Sequence, residues 1–185
     1  MSPMVKLPLA TEHALLGCLW DRPMHAYEMH RTMMEARALG LVWRLKQAQL
    51  YALLARLEDA GYIASTTETQ GTRPPRKILH LTESGRQAYQ TWLHSPVEHA
   101  RDFRIEFLAK LFFAQQHDPN TVAALVDTQR QACEAWLVDL RARIQHLAET
   151  QPFERLVQEF RVGQIEAILR WLDTCALTLA PGEPA

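Results

Sequence analysis

The chain has 185 residues, 48% of them hydrophobic and 22% charged, with a net charge of −1. This is material for one or two cored domains and excludes both a disordered polyelectrolyte and a generic polycation. No run approaches the roughly 18 apolar residues of a membrane span, and the start lacks the basic region and small-residue cleavage site of a secretion signal. Cys18, Cys133 and Cys175 are odd in number and form no CxxC pair, which argues against a disulfide framework or zinc site and for a reducing, cytoplasmic setting.

Thr11 to about Trp20 reads as a helix with Ala14, Leu15, Cys18 and Leu19 on one side, broken by Asp21-Arg22-Pro23. His25 to about Ala38 reads as a second helix, with His25 as its cap and Glu28 in a capping-box position. Gly40 to Leu45 is read as a connector containing Trp43. From Gln47, Leu50, Leu53, Leu54 and Leu57 recur at helical spacing, and Gly61 is placed to end the helix. Tyr62 to Thr67, rich in β-branched residues, reads as a strand, and Lys77 to Leu81 as a second one. Between them Arg73, Arg76 and Lys77 sit around Pro74-Pro75, a stiff basic tip. Thr82 is placed to cap a fourth helix running through Trp92-Leu93, and Pro96 ends it.

From Arg101 the pattern changes to long helices. Phe103 to about Gln116 carries Phe107, Leu108, Leu111 and Phe112. Asp118-Pro119 is a start signal, and from Val122 to Leu147 apolar positions (with Gln129 among them) repeat almost as a heptad. Thr150-Gln151-Pro152 breaks the chain, and Phe153, Val157, Phe160, Gln164, Ile168, Trp171, Cys175 and Leu179 continue in similar register before a Pro-rich tail. Two such helices form an antiparallel hairpin whose surplus apolar surface calls for a second subunit. The competing reading is an ordinary bundle within one chain.

Together these elements predict a mainly α protein with a small β-hairpin wing. Residues 1–95 form a winged helix-turn-helix domain and residues 96–185 a helical dimerisation domain. Charge follows the same division. Residues 1–95 hold eleven Lys and Arg against eight Asp and Glu, and residues 96–185 nine against thirteen. A basic first half suits phosphate contact.

Four segments resemble the PadR family of bacterial transcriptional regulators. They are Ala14-Leu15-Leu16-Gly17, Pro23 to Glu28, Leu50 to Gly61, and Arg76 to Gly85. They cover the first 95 residues in family order and spacing, and the second half looks like the longer C-terminal domain of one subgroup. The chain has Ala26 where this family usually has Gly, and Leu79 or His80 where it usually has Tyr. The resemblance implies a homodimeric repressor, paired through its C-terminal helices, that binds double-stranded DNA at a pseudo-palindromic operator and is released by a small molecule.

On the third helix the positions opposite the leucines, and leading them, are Lys46, Gln47, Gln49 and Arg56. Glutamine suits adenine edges, so Gln47 and Gln49 are expected to read bases and Lys46 and Arg56 to meet phosphate. Tyr51 sits at the rim, where its hydroxyl reaches phosphate or its ring simply packs. Tyr27, near the start of the second helix, is expected at phosphate. Arg73, Arg76 and Lys77 are expected to grip phosphate or the minor groove.

Trp92, Phe103 and Phe107 are candidates to line a pocket for a small aromatic effector, against their role as core filler. His25 and His30 are five apart, which suits no shared metal on a helix. No metal, cofactor or catalytic residue is expected, since there is no HExxH, GxSxG or phosphate-binding glycine loop. The alternative function is a winged-helix module that docks proteins without touching DNA.

Overall fold

A computed structural model describes residues 10–35, 37–42, 45–68, 76–147 and 150–180. Two compact units emerge. The first holds the chain up to Leu93 together with Arg104–Phe113; the second holds His94–Phe103 and the chain from Ala114 on. Segment 104–113 thus lies with the first unit rather than with the helices that follow it.

In the first unit the order is α1 (Ala10–Cys18), β1 (Met24–His25), α2 (Ala26–Glu35), α3 (Arg37–Val42), α4 (Gln47–Asp59), β2 (Ile63–Glu68), β3 (Arg76–Leu81) and α5 (Glu83–His94). The strands form an antiparallel sheet in the order β1-β3-β2. Leu79 of β3 stands opposite Met24 on one side and Ser65 on the other. The sheet corrects two expectations. The predicted helix over 25–38 is a two-residue strand followed by α2 and then α3, and α3 also occupies the segment read as a connector from Gly40. A two-residue strand has no periodicity to read, and its pairing partner lies more than fifty residues away. In α3, burial of Leu39 outweighs the helix-breaking tendency of Gly40.

Other local signals act as written. Gly61 has φ of +76°; its N–H bonds to the Glu58 carbonyl and that of Tyr62 to Leu57, the double closure that satisfies the end of α4. The Thr82 hydroxyl accepts from the N–H of Gly85 at 3.1 Å and so caps α5. Leu50, Leu54 and Leu57 of α4 are buried, while Leu53 is only half-buried. Each fully buried leucine contributes about 1.5–3 kcal/mol. Around them Leu15, Leu16, Met29, Ile63, Tyr89 and Leu93 complete the core. The first part of α6 (Glu106–His117) joins it: the Phe113 ring meets Tyr89 edge-on with centroids 6.0 Å apart. Buried Lys110 lies 3.2 Å from Glu106 and 5.5 Å from the Trp92 ring centre, and the indole N–H of Trp92 donates to Glu106 at 3.0 Å.

The second unit is built on α7 (Pro119–Gln145) and α8 (Pro152–Leu179), preceded by a 3-10 turn over Ala100–Arg104. That turn occupies the start of the predicted Phe103 helix. Asp118 caps α7 by accepting from the Thr121 N–H at 2.9 Å, with Pro119 beginning the helix. These bonds hold the Asp118 carboxyl below its usual range. Ion pairs Arg130–Asp173 (2.6 Å) and Arg141–Glu166 (2.9 Å) tie the antiparallel helices. The buried α7 positions are Val122, Leu125, Val126, Gln129, Cys133 and Leu137, so the seam is turned from the heptad reading, leaving Trp136, Leu140 and Ile144 half-buried. Gln129, polar and fully buried, accepts from the N–H of Val97 at 2.7 Å and so fastens segment 94–103 to α7. On α8, Ile165, Leu172 and Cys175 face inward. Phe153, Leu156, Phe160 and Trp171 remain exposed on another face.

Candidate nucleic-acid interface

Helix α4 presents a polar face because its leucines face the core. Lys46, Gln47, Gln49, Tyr51 and Arg56 are all exposed. Two of them are already engaged. The Gln49 side-chain oxygen accepts from the Lys46 N–H at 3.1 Å, closing the start of the helix. The ammonium of Lys46 has no acceptor, so capping here runs one way only. Arg56 reaches back to Glu12 on α1 at 2.9 Å, and Glu12 is only 3% exposed. Arg56 is thus a strut between two helices as well as a surface cation. Gln47 makes no such contact among the described residues.

Beside this face lies a hollow of about 680 Å³ lined by His25, Tyr27, Arg31, Tyr51, Arg76 and Lys77, together with Ala26 and Glu28. Four of the predicted residues, Tyr27, Tyr51, Arg76 and Lys77, meet here although they come from three separate stretches of chain. Arg31 was missed by sequence reasoning; its signal was a position one helical turn after Tyr27. The hollow includes the start of α2, whose first backbone N–H groups have no partner within the helix. The ring of His25 does not cap α2 as expected. Its Nδ1–H donates to the Lys77 carbonyl at 2.8 Å and so pins β1 to β3. The His25 backbone N–H contributes to lowering the Glu28 carboxyl, behind the larger effect of Arg22.

Glu28 is the one acid among the described residues that line the hollow. Its hydrogen bond from Arg22 is the main reason its carboxyl sits below the usual range, with Arg31 adding to the effect. Because Arg22 offsets that negative charge, Arg31, Arg76 and Lys77 leave the hollow positive. Lys77 has only a loose contact with Glu58 at 3.6 Å. Arg73 and Pro74-Pro75, the expected tip of the wing, lie outside the described residues. Trp92 and Phe107 are buried in the first unit and Phe103 in the second, and none of them lines the hollow. His30 Nε2–H donates to the Leu45 carbonyl at 3.1 Å, tying α2 to the approach of α4.

A helix with a polar outer face, a three-stranded sheet behind it and a cationic hollow beside it define a winged helix-turn-helix protein. Residues 15–91 match the model of the transcriptional regulator PadR-like family, and residues 103–180 match that of the virulence activator alpha C-terminal region. The negative transcriptional regulator PadR of Bacillus subtilis is 32% identical over 145 residues, covering 76% of this chain and 77% of that relative. The chain therefore belongs to the PadR-like family of transcriptional regulators. A probable transcriptional regulator of Mycobacterium tuberculosis is 29% identical over 96 residues, 52% of this chain and 50% of that one. Solved structures of Bacillus subtilis PadR with operator DNA and with p-coumaric acid are 25% and 24% identical, cover 92% and 97% of this chain and 99% and 98% of theirs, and have TM-scores of 0.44 and 0.39.

Proposed function

We propose that this regulator is a dimeric, sequence-specific DNA-binding repressor released by a small aromatic effector. The observation that carries the DNA reading is the hollow, which Arg31, Arg76 and Lys77 line together with Tyr27, Tyr51 and the start of α2. This is a built phosphate seat, and it lies next to an exposed helix face of the kind that enters a major groove. Phosphate seats fix register; bases are read from α4.

Within α4 the readers differ. Bidentate recognition of adenine needs both the oxygen and the nitrogen of a glutamine amide. Gln49 has its oxygen committed to the helix start, so Gln47 takes the bidentate role and Gln49 contributes at most its N–H. Lys46 meets phosphate; Arg56 does so only as far as its pairing with Glu12 allows. Arg76 and Lys77 extend the positive surface along β3, and Arg73 is taken to grip phosphate with them. Dimerisation through the exposed face of α8 supplies the second copy that a pseudo-palindromic site needs. For the effector, Trp92 and Phe107 in the first unit and, separately, Phe103 in the second remain the candidate contacts.

The test is a mobility shift on the DNA upstream of the chain's own gene across a salt series. Retarded bands whose log affinity falls linearly with log salt support the reading. No retardation at low salt, with a folded dimer in hand, overturns it in favour of a protein-docking module.

A further inference from the structure

Three cations on or beside the operator face are paired with acids of the same unit. Arg56 of α4 lies 2.9 Å from Glu12 of α1, Arg22 donates to Glu28 of α2, and Lys77 of β3 lies 3.6 Å from Glu58 of α4. The pairs differ in how firmly they hold. Glu58 is 35% exposed and also accepts from the Ser65 hydroxyl, so water and that hydroxyl can satisfy it when Lys77 leaves for a phosphate. Glu28 is likewise partly exposed. Glu12 is buried, and water cannot take the place of a departing guanidinium there.

Burial decides what each pair costs to open. A carboxylate out of contact with water must keep its counter-charge, because an uncompensated charge in a low-dielectric setting is strongly unfavourable. Arg56 is therefore retained by Glu12 although about half of its side chain lies in solvent. A cation draws a duplex by displacing condensed counterions from phosphate, and that requires net positive charge. A guanidinium neutralised from behind can still donate a hydrogen bond to phosphate but displaces little. Salt does not undo this, since mobile ions screen a buried partner weakly. Arg56 thus occupies the place of a phosphate-binding cation on α4 without bringing its full charge to the duplex.

We propose that Glu12 is an internal counter-charge that withholds Arg56 from the phosphate backbone and so keeps affinity for random-sequence DNA low. The proposal rests on the operator reading of α4. Buried Glu12 acts through Arg56 and is a positioning residue rather than a DNA contact. Binding to random sequence is essentially electrostatic, so one withheld cation acts on it directly, while the base edges are left to the amide of Gln47. A regulator gains from this because competing random sites far outnumber operators.

The test is binding of a fluorescent random-sequence duplex by the full-length protein across a salt series, read by anisotropy. Glu12→Gln keeps the shape of the side chain and removes its charge. It should raise affinity roughly three- to tenfold near 0.1 M salt and make the slope of log affinity against log salt steeper by about one. The gain should vanish when Glu12→Gln is combined with Arg56→Gln. Glu58→Gln removes one negative charge from the same unit at a loose pair, and its effect on the slope should be clearly smaller. Glu12→Leu, neutral and apolar at a buried position, should act as Glu12→Gln does, so a variant that fails its thermal melt leaves the other to be read. An unchanged slope in the folded variant overturns the proposal. So does a lowered affinity, an equal gain in the Arg56→Gln background, or an equal gain in Glu58→Gln. Wild-type protein that binds no duplex at low salt overturns the operator reading and this proposal with it; wild-type binding with an unchanged Glu12 variant overturns this proposal alone.

Discussion

Side chains of α4 that look equivalent along the sequence differ in what they hold. Gln49→Ala should lower stability by on the order of 1 kcal/mol through loss of the helix-start bond, read by denaturant titration. Gln47→Ala should leave the denaturation midpoint unchanged and instead relax sequence preference in operator selection. Arg56→Ala removes the guanidinium facing buried Glu12 and should destabilise by roughly 1–3 kcal/mol, more than an ordinary surface change. Asp118 gives a pH test with a definite sign. Its pKa is lowered on folding from the ordinary value of 3.8, so its cap stabilises the protein above that value and is lost as pH falls through the folded value. The deficit of Asp118→Ala in thermal melts should therefore persist at neutral pH and vanish in acid. The thiols behave alike: burial pushes Cys18 up to about 12 and Cys175 up to about 11. Both should resist alkylation by iodoacetamide at neutral pH in the native protein and react on unfolding, as read by mass spectrometry.

Between elements, glycines mark the closest approaches. A Cβ on Gly85 would overlap the carbonyl oxygen of Tyr62, where the start of α5 packs on the chain entering β2. Gly85→Ala must push the helix off the sheet and should destabilise the first unit by about 1–3 kcal/mol in thermal melts. The strand β1 shows what a sequence hides at this scale. Met24-His25 belongs to the sheet because β3 has a free edge and the His25 ring reaches the Lys77 carbonyl. Nothing in two residues of local sequence announces a partner fifty positions on. The reverse holds for α4 and α7, whose ends are written locally as Gly61 and Asp118-Pro119.

Across the whole molecule, α8 carries two apolar faces, and the described residues of one chain bury only one of them. Phe160 is 71% exposed and Trp171 36%. Phe160→Glu with Trp171→Glu should convert the proposed dimer to monomer in light scattering while helicity by circular dichroism is retained, and operator affinity should fall with it. Arg76→Ala with Lys77→Ala should weaken operator binding across sequences and make the salt slope shallower by about one for each phosphate that is no longer neutralised.

The residues alone determined the recognition-type helix, the wing strands, both cap signals and the family, because each is set by neighbours within a few positions and by a regular period. They also pointed to Tyr27, Tyr51, Arg76 and Lys77 as surface groups of one kind. Only the fold brought those four together around the start of α2, added Arg31, diverted Arg56 to Glu12, and turned the α7 seam so that Trp136 is only half-buried. The reason is physical: periodicity fixes which way a side chain faces, whereas which distant side chain it meets depends on how separate elements pack.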